Sequence, residues 1–152
     1  MDEVEFRPRI NHVAFSVDAA VLDEAGRKAV LDFFSEVFGW TEGDNSTESG
    51  NPLILYTGQW RQYVYLLPST GSFLVAPELD HIGLEVGSVA EIEAILERAE
   101  AYRAKDDRVR VTGIHSMTTH GAVDDYTLTN GYISFLLPLQ IELQHIALQQ
   151  SS

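Results

Sequence analysis

Two histidines and one glutamate occupy positions from which they could bind one divalent metal ion. His12 lies in the segment INHVAFSV and His81 in LDHIGLEV, and the two segments match when aligned on their histidines. Both alternate apolar with small or polar residues, which predicts two half-buried strands with each histidine on the less apolar face. Glu142 stands in the apolar run PLQIELQ, where an acid is costly unless it is paired, coordinated or hydrated.

Two imidazoles and one carboxylate on rigid strands predict a facial metal site with open positions for a substrate. The competing interpretation is structural, because a single histidine on a strand more often serves the fold than a ligand. The matched positions of His12 and His81 in a repeat favour the metal site. His145 falls on the opposite face of its strand from Glu142 and is therefore not expected to be a ligand.

The elements that must position these residues are repeated along the chain. In the first half, a strand at Arg9–Val17 precedes a helix whose apolar stripe ends at Gly39, a glycine suited to a C-cap. Thr41–Pro52 is polar and rich in turn-forming residues, and it is predicted to be a loop. Two strands follow at Leu53–Tyr56 and Gln62–Leu67, with a turn between them at residues 58–61.

The second half repeats this order. After the strand Leu79–Val86, the pattern SVAE from Ser88 to Glu91 predicts a capping box and a helix. A strand is predicted at Arg108–Thr112, and the polar stretch up to Asp125 is predicted to be a loop. The remaining apolar runs predict strands that Pro138 divides, since proline cannot donate to a ladder.

The predicted fold class is therefore α+β. Two paired βαβββ modules are expected to form a curved mixed sheet around a metal or ligand cavity, with the helices outside. The chain of 152 residues fits one domain, 1–152, made of modules at about 1–72 and 78–152. The segment Pro68–Pro77 is the best candidate for the linker.

Composition excludes several classes of partner. Ten basic and 23 acidic residues give a formal net charge of −13, which disfavours binding to nucleic acid and to anionic membranes. No apolar run approaches the roughly 18 residues of a membrane span, and the acidic start MDEVEFRPR does not resemble a secretory signal. Cysteine is absent, so disulfides, thiolate metal sites and a cysteine nucleophile are excluded. We expect a cytoplasmic protein.

The halves resemble a known group of proteins. The two βαβββ units, the strand-borne His12 and His81, the segment FSEVFGW at residues 34–40 and the triplet Ile141-Glu142-Leu143 resemble the vicinal oxygen chelate superfamily. That superfamily includes glyoxalase I, extradiol dioxygenases, fosfomycin-resistance enzymes, methylmalonyl-CoA epimerase and bleomycin-resistance proteins. The resemblance covers nearly the whole chain and is more specific for fold than for activity.

The resemblance implies the ligands and the chemistry. Metal ligands in the superfamily lie on the first and last strands of each half, which gives His12, His81 and Glu142 here. Tyr65 takes the fourth position, where glyoxalase I normally has a glutamate, so the chain departs from the glyoxalase pattern. Three ligands are closer to the dioxygenase and fosfomycin-resistance patterns, although two modules are fewer than extradiol dioxygenases commonly carry. The implied cofactor is a divalent Fe, Mn, Zn, Ni or Co ion.

The implied function is a metal-dependent enzyme of lyase, isomerase or dioxygenase type, which acts on a small substrate through vicinal oxygens chelated to the metal. The alternative is a non-catalytic protein that sequesters a drug or metabolite, as bleomycin-resistance proteins do. Those proteins often lack the metal ligands, so the joint presence of His12, His81 and Glu142 favours the enzyme.

Further residues are candidates for subsidiary roles. Glu85 lies on the His81 face and is either a general base or, as we prefer, a carboxylate at the cavity rim. Tyr65 is either a phenol donor to the substrate or part of the cavity wall. His115, His120 and Tyr126 lie in or beside the predicted loop and are at most specificity elements.

A homodimer is also expected. The apolar strands Leu53–Tyr56 and Tyr132–Leu137 are taken as sheet edges that need covering. If two chains exchange modules, His12 comes from one chain and His81 with Glu142 from the other.

Overall fold

The structure is a computed structural model that describes residues 9–44, 49–58, 61–121 and 124–149. The chain divides into two compact units, one comprising residues 1–35 and 39–73 and the other residues 36–38 and 74–152. Within the described ranges, no helix is long and apolar enough to cross a membrane.

Each unit has the order strand, helix and three strands. The first contains β1 (His12–Asp18), a short 3-10 turn (Ala19–Leu22), α1 (Glu24–Phe38), β2 (Thr41–Glu42), β3 (Leu53–Tyr56) and β4 (Tyr63–Ser69). The second contains β5 (His81–Glu85), α2 (Val89–Tyr102), β6 (Arg110–His120), β7 (Asp125–Ser134) and β8 (Gln140–Leu148).

The two sheets have the same topology. The strand orders are β1-β4-β3-β2 and β5-β8-β7-β6, and in each the first strand runs parallel to the last while the other pairs are antiparallel. Two helices with two four-stranded mixed sheets confirm the predicted α+β class and the βαβββ repeat.

Local signals in the sequence account for both helices. Asp23 caps α1 by accepting a hydrogen bond from the Gly26 N–H at 2.7 Å, and Gly39 ends the helix in the left-handed conformation with φ of 71°. Ser88 caps α2 by accepting from the Glu91 N–H at 3.2 Å, and the Glu91 carboxylate accepts from the Gly87 N–H at 2.8 Å. Both predicted helix boundaries at these caps are confirmed.

Alternation along the strands separates a core face from a second face in each sheet. The most deeply buried strand residues lie on the core face of their sheet: Val17, Leu53, Leu55, Val64, Leu66, Ile133, Ile141 and Leu143. His12, His81 and Glu142 lie on the opposite face, as the sequence predicts. In the second unit the core face packs against α2, whose buried residues Ile92, Leu96, Ala99 and Tyr102 form one apolar stripe.

Three sequence predictions of local structure were wrong. The predicted loop Thr41–Pro52 contains the short strand β2, and the predicted loop before Asp125 is part of the eleven-residue strand β6. β6 is exposed along most of its length, so it lacks the apolar alternation that reveals a strand, and its pairing with β7 defines it instead. The strands expected to form apolar edges, β3 and β7, are flanked on both sides by other strands.

Candidate functional site

Strand register gives Glu142 and Tyr65 the same place in their sheets. Glu142 in β8 pairs with Gly83, two residues after His81, and Tyr65 in β4 pairs with Ala14, two residues after His12. Tyr65 is therefore the positional counterpart of Glu142, as the alignment of the two halves predicts. Tyr65 is half-buried.

Glu142 is a buried acid that is held through one of its two oxygens. Only 5% of the residue is exposed, and Glu142 is one of two buried polar residues among those described. Its Oε1 accepts hydrogen bonds from Asn130 Nδ2 at 2.9 Å, Tyr132 OH at 3.0 Å and Gln144 Nε2 at 3.4 Å. Three donors on Oε1 fix the orientation of the carboxylate and direct Oε2 to another partner.

That partner is His81, whose Nε2 lies 3.2 Å from Glu142 Oε2. The Nδ1 of His81 lies 2.8 Å from the Leu79 carbonyl oxygen, which can only accept, so Nδ1 carries a proton. In the neutral imidazole, Nε2 then presents a lone pair to a carboxylate oxygen. Two facing acceptors repel each other unless a proton or a cation lies between them.

This pair fits a divalent metal ion. Two ligand atoms 3.2 Å apart, each at the usual metal distance of about 2.1 Å, subtend an angle of roughly 100° at the ion, which suits tetrahedral or octahedral coordination. The Nδ1 bond to a backbone carbonyl and the donors on Oε1 are the outer contacts that commonly orient such ligands. His81 and Glu142 therefore fit as two ligands.

Gly83 leaves room beside the free oxygen. A Cβ atom at Gly83 would lie 3.3 Å from Glu142 Oε2, so a larger residue would press on the carboxylate.

The Tyr132 ring meets the His81 ring edge to face, with centroids 5.5 Å apart. Burial raises the pKa of the Tyr132 phenol, and its hydrogen bond to Glu142 and the carboxylate charge raise it further. Tyr132 is therefore a neutral donor across the physiological range.

His12 in the first unit has its ring held in a similar way. Its Nδ1 lies 2.7 Å from Asn11 Oδ1, an acceptor, so Nε2 is again the atom with a lone pair. The ring stacks on Tyr63 with centroids 4.7 Å apart and an interplanar angle of 1°. Both candidate histidines therefore keep Nε2 available to a ligand.

The strand neighbour of Tyr65 differs from that of Glu142. Ile54 pairs with Tyr65 as Tyr132 pairs with Glu142, so an apolar side chain takes the place of the phenol donor. The candidate ligand that the first unit contributes is His12.

The remaining candidates lie apart from the pair. Glu85 is exposed at the end of β5 and pairs with Gln144. His115, His120 and Tyr126 lie on β6 and β7 rather than in a loop. His120 forms an exposed pair with Asp125, with Nδ1 and Oδ2 2.9 Å apart. On the other face of β8, the His145 Nδ1 donates to the Val86 carbonyl at 3.1 Å.

Within the described residues, no group of three or more His, Cys, Asp or Glu residues is placed to hold one metal ion. Sequence reasoning missed Asn130 and Tyr132, whose side chains lie 2.9 Å and 3.0 Å from Glu142 Oε1. Both lie on the same face of β7, in TLTNGYIS, where polar alternation hints at a polar face. Only the β7–β8 register shows that this face meets Glu142.

Comparisons with known proteins identify the fold. No protein-family model and no curated protein matches the chain. Among solved structures, a putative glyoxalase family protein from Bacillus anthracis is similar, with TM-score 0.55, 16% identity and coverage of 94% of this chain and 98% of that one. Lactoylglutathione lyase from Agrobacterium tumefaciens has TM-score 0.54 and 16% identity, with coverage of 91% and 94%.

A third solved structure is the fosfomycin resistance protein FosX from Listeria monocytogenes, with TM-score 0.54, 12% identity and coverage of 92% and 94%. Identities this low show a shared fold and leave the activity open. The resemblance inferred from the two histidine strands and the Glu142 strand is confirmed for the fold: the chain has the fold of these glyoxalase-type and fosfomycin-resistance proteins.

Proposed function

We propose that the protein binds a divalent metal ion through His81, Glu142 and His12 and acts on a small substrate whose adjacent oxygen atoms chelate that ion. The observation that carries this proposal is the 3.2 Å approach of His81 Nε2 to Glu142 Oε2, two atoms that repel each other unless a proton or a cation lies between them. A cation would relieve their repulsion, and three protein ligands would leave positions for substrate oxygens.

The structural neighbours support a role in modifying small molecules. They include a glyoxalase family protein, a lactoylglutathione lyase and a fosfomycin resistance protein. These names describe different chemistries on one fold, so the proposal covers lyase, isomerase and dioxygenase types. The metal is one of Fe, Mn, Zn, Ni or Co.

A bound ion would act as a Lewis acid towards a substrate oxygen, and Fe(II) would also permit oxygen chemistry. The chain's own residues define the surroundings. Asn130 and Tyr132 hold the carboxylate of Glu142, and the Leu79 carbonyl holds the tautomer of His81. We assign Tyr65 as a phenol donor to the substrate. Glu85, which is exposed at the end of β5, is assigned as a general base at the cavity rim.

The alternative function is sequestration of a drug or metabolite without catalysis. It is favoured by Tyr65 and Ile54, which place a half-buried phenol and an apolar side chain where a ligand acid and its donor would otherwise stand. A sequestering protein would bind its ligand equally well with and without metal, which separates the two functions experimentally.

Acetohydroxamate is a suitable probe because its two adjacent oxygens chelate divalent metals, and acetamide is the matched compound with one. Calorimetry should show acetohydroxamate binding to the metal-loaded protein, with acetamide and the metal-free protein giving no signal. Glu142→Ala should abolish the binding, and His120→Ala, which breaks the exposed pair with Asp125, should preserve it. Equal binding to metal-free protein would support sequestration, and no binding to the loaded protein would refute the chelating site.

We also propose that the protein is a homodimer. If its chains exchange modules, His12 of one chain would join His81 and Glu142 of the other. β5 and β6 are edge strands of the second sheet, and β6 exposes 40% of Ile114 and 50% of Met117. An exposed edge carrying large apolar side chains is a common site of association.

A further inference from the structure

A cavity of about 540 Å³ lies in the first unit beside His12, and its lining includes Asn11 and Tyr63, which both contact the His12 ring. We call it the tyrosine cavity. The described residues that line it are Asn11, Gly39, Thr41, Tyr56, Gly58, Arg61 and Tyr63. Its volume lies within the range of pockets that hold small organic ligands.

The cavity is built on one row of the first sheet. Thr41 pairs with Tyr56, Tyr56 pairs with Tyr63, and Tyr63 pairs with His12, so these residues share a face across all four strands. The rings of Tyr56 and Tyr63 meet at 76° with centroids 6.2 Å apart. Two aromatic walls near a right angle suit a planar ring, which can stack on one wall and present its edge to the other.

Arg61 gives the cavity its charge. It is the only charged residue among the described lining residues, in a chain with 23 acidic and 10 basic residues. Its φ of 66° lies in the left-handed region, which costs a residue with a side chain about 1 kcal/mol or more relative to glycine. The guanidinium of Arg61 has five N–H donors in a planar fork, and its usual ligands are carboxylate and phosphate.

We infer that the tyrosine cavity binds a planar aromatic carboxylate, with its ring in the angle formed by Tyr56 and Tyr63 and its charge at Arg61. This inference is independent of the metal proposed above, because none of the lining residues is a proposed metal ligand. Asn11 and Tyr63 nevertheless contact both the cavity and His12, through the Asn11 Oδ1 hydrogen bond and the stacked ring. An occupant should therefore be detected at the His12 ring.

Benzoate is the probe, and two analogues test the two halves of the inference. Benzamide keeps the ring and loses the charge, and cyclohexanecarboxylate keeps the charge and loses planarity. Titration of the full-length, metal-free protein by NMR should show benzoate binding about tenfold more tightly than either, as one charge-assisted hydrogen bond or one stacked ring contributes. The His12 ring resonances should shift more than those of His81, His115 or His120.

Substitutions should remove the two preferences separately. Arg61→Gly removes the charge at a position where glycine relieves the backbone, so the variant should fold and should bind benzoate no better than benzamide. Arg61→Lys should keep part of the preference. Tyr56→Leu should remove the preference for benzoate over cyclohexanecarboxylate. Arg103→Gln is the control, because Arg103 forms an exposed pair with Glu100. It should change neither the preference over benzamide nor the preference over cyclohexanecarboxylate.

The inference is overturned if the folded wild type binds the three probes with equal affinity. It is also overturned if Arg61→Gly retains the full preference for benzoate, or if the shifts centre on histidines other than His12. Loss of metal binding in other experiments leaves these outcomes unchanged, so failure of the metal proposal and failure of this one are distinguishable.

Discussion

His81 Nε2 and Glu142 Oε2 lie 3.2 Å apart, while the Nδ1 of the same imidazole is committed to the Leu79 carbonyl. The pair therefore needs a proton or a cation between its two facing atoms. Because Asn130, Tyr132 and Gln144 all donate to the other carboxylate oxygen, Oε2 is left free for that partner.

Tyr132→Phe should weaken metal binding without removing it. The substitution deletes the phenol that donates to Glu142 Oε1 at 3.0 Å and keeps the ring. Loss of one outer contact typically lowers metal affinity about 10- to 100-fold. Competition against a chromophoric chelator measures this affinity. Tyr126→Phe makes the same change six residues away on the same face of β7 and should leave the affinity unaltered.

The raised pKa of Tyr132 predicts how stability depends on pH. The folded state favours the neutral phenol, so this contribution is complete below the ordinary pKa of 10.0 and is lost as pH rises through the raised value. The free energy of unfolding of wild type, relative to Tyr132→Phe, should therefore be lower at about pH 11 than at about pH 8. Urea titrations at both pH values measure it, and an unchanged difference would contradict the prediction.

Gly83→Ala should reduce metal affinity while the protein remains folded. The added Cβ would lie 3.3 Å from Glu142 Oε2 and should displace that oxygen by a few tenths of an ångström. We expect an affinity loss of about tenfold. Gly113→Ala is the matched control, because its Cβ meets no atom within 4 Å. Replacing glycine by alanine lowers the conformational entropy of the unfolded chain in both variants, so this effect should not lower either melting temperature. Equal affinities in the two variants would argue against a metal at Oε2.

Sedimentation should show a dimer at micromolar concentration. Module exchange is tested by asking whether two inactive variants recover metal binding when they form a mixed dimer. His12→Ala and Glu142→Ala chains should each fail to hold metal. When they are unfolded together and refolded, a mixed dimer with exchanged modules contains one complete set of His12, His81 and Glu142. Partial recovery of metal binding supports exchange, whereas a monomer by sedimentation refutes both the dimer and the shared site.

The sequence predicted the features that depend on local pattern. Period-two alternation placed His12, His81 and Glu142 on the faces opposite the core, and caps at Ser88 and Gly39 marked helix ends. β6 could not be predicted, because it is exposed along most of its length and carries no apolar alternation. Its identity as a strand comes from pairing with β7, which is not local.

Only part of the candidate site was predicted from the sequence. The acid and the histidines were chosen from their own strands, whereas Asn130 and Tyr132 were missed because they reach Glu142 from a neighbouring strand. A single sequence does not reveal which residues of a neighbouring strand pair with a given residue, and therefore does not reveal their contacts. The proposed metal ligation itself stays a prediction.

Metal content is the most direct test of the central claim. The protein is purified without chelators, incubated with Fe, Mn, Zn, Ni or Co, desalted and measured by elemental analysis. Wild type should retain about one ion per chain, the stoichiometry of a three-ligand site. His81→Ala and Glu142→Ala should retain almost none, and His120→Ala should match wild type, because its pair with Asp125 is exposed. If wild type holds no more metal than Glu142→Ala for any of the five ions, the metal-dependent function is refuted.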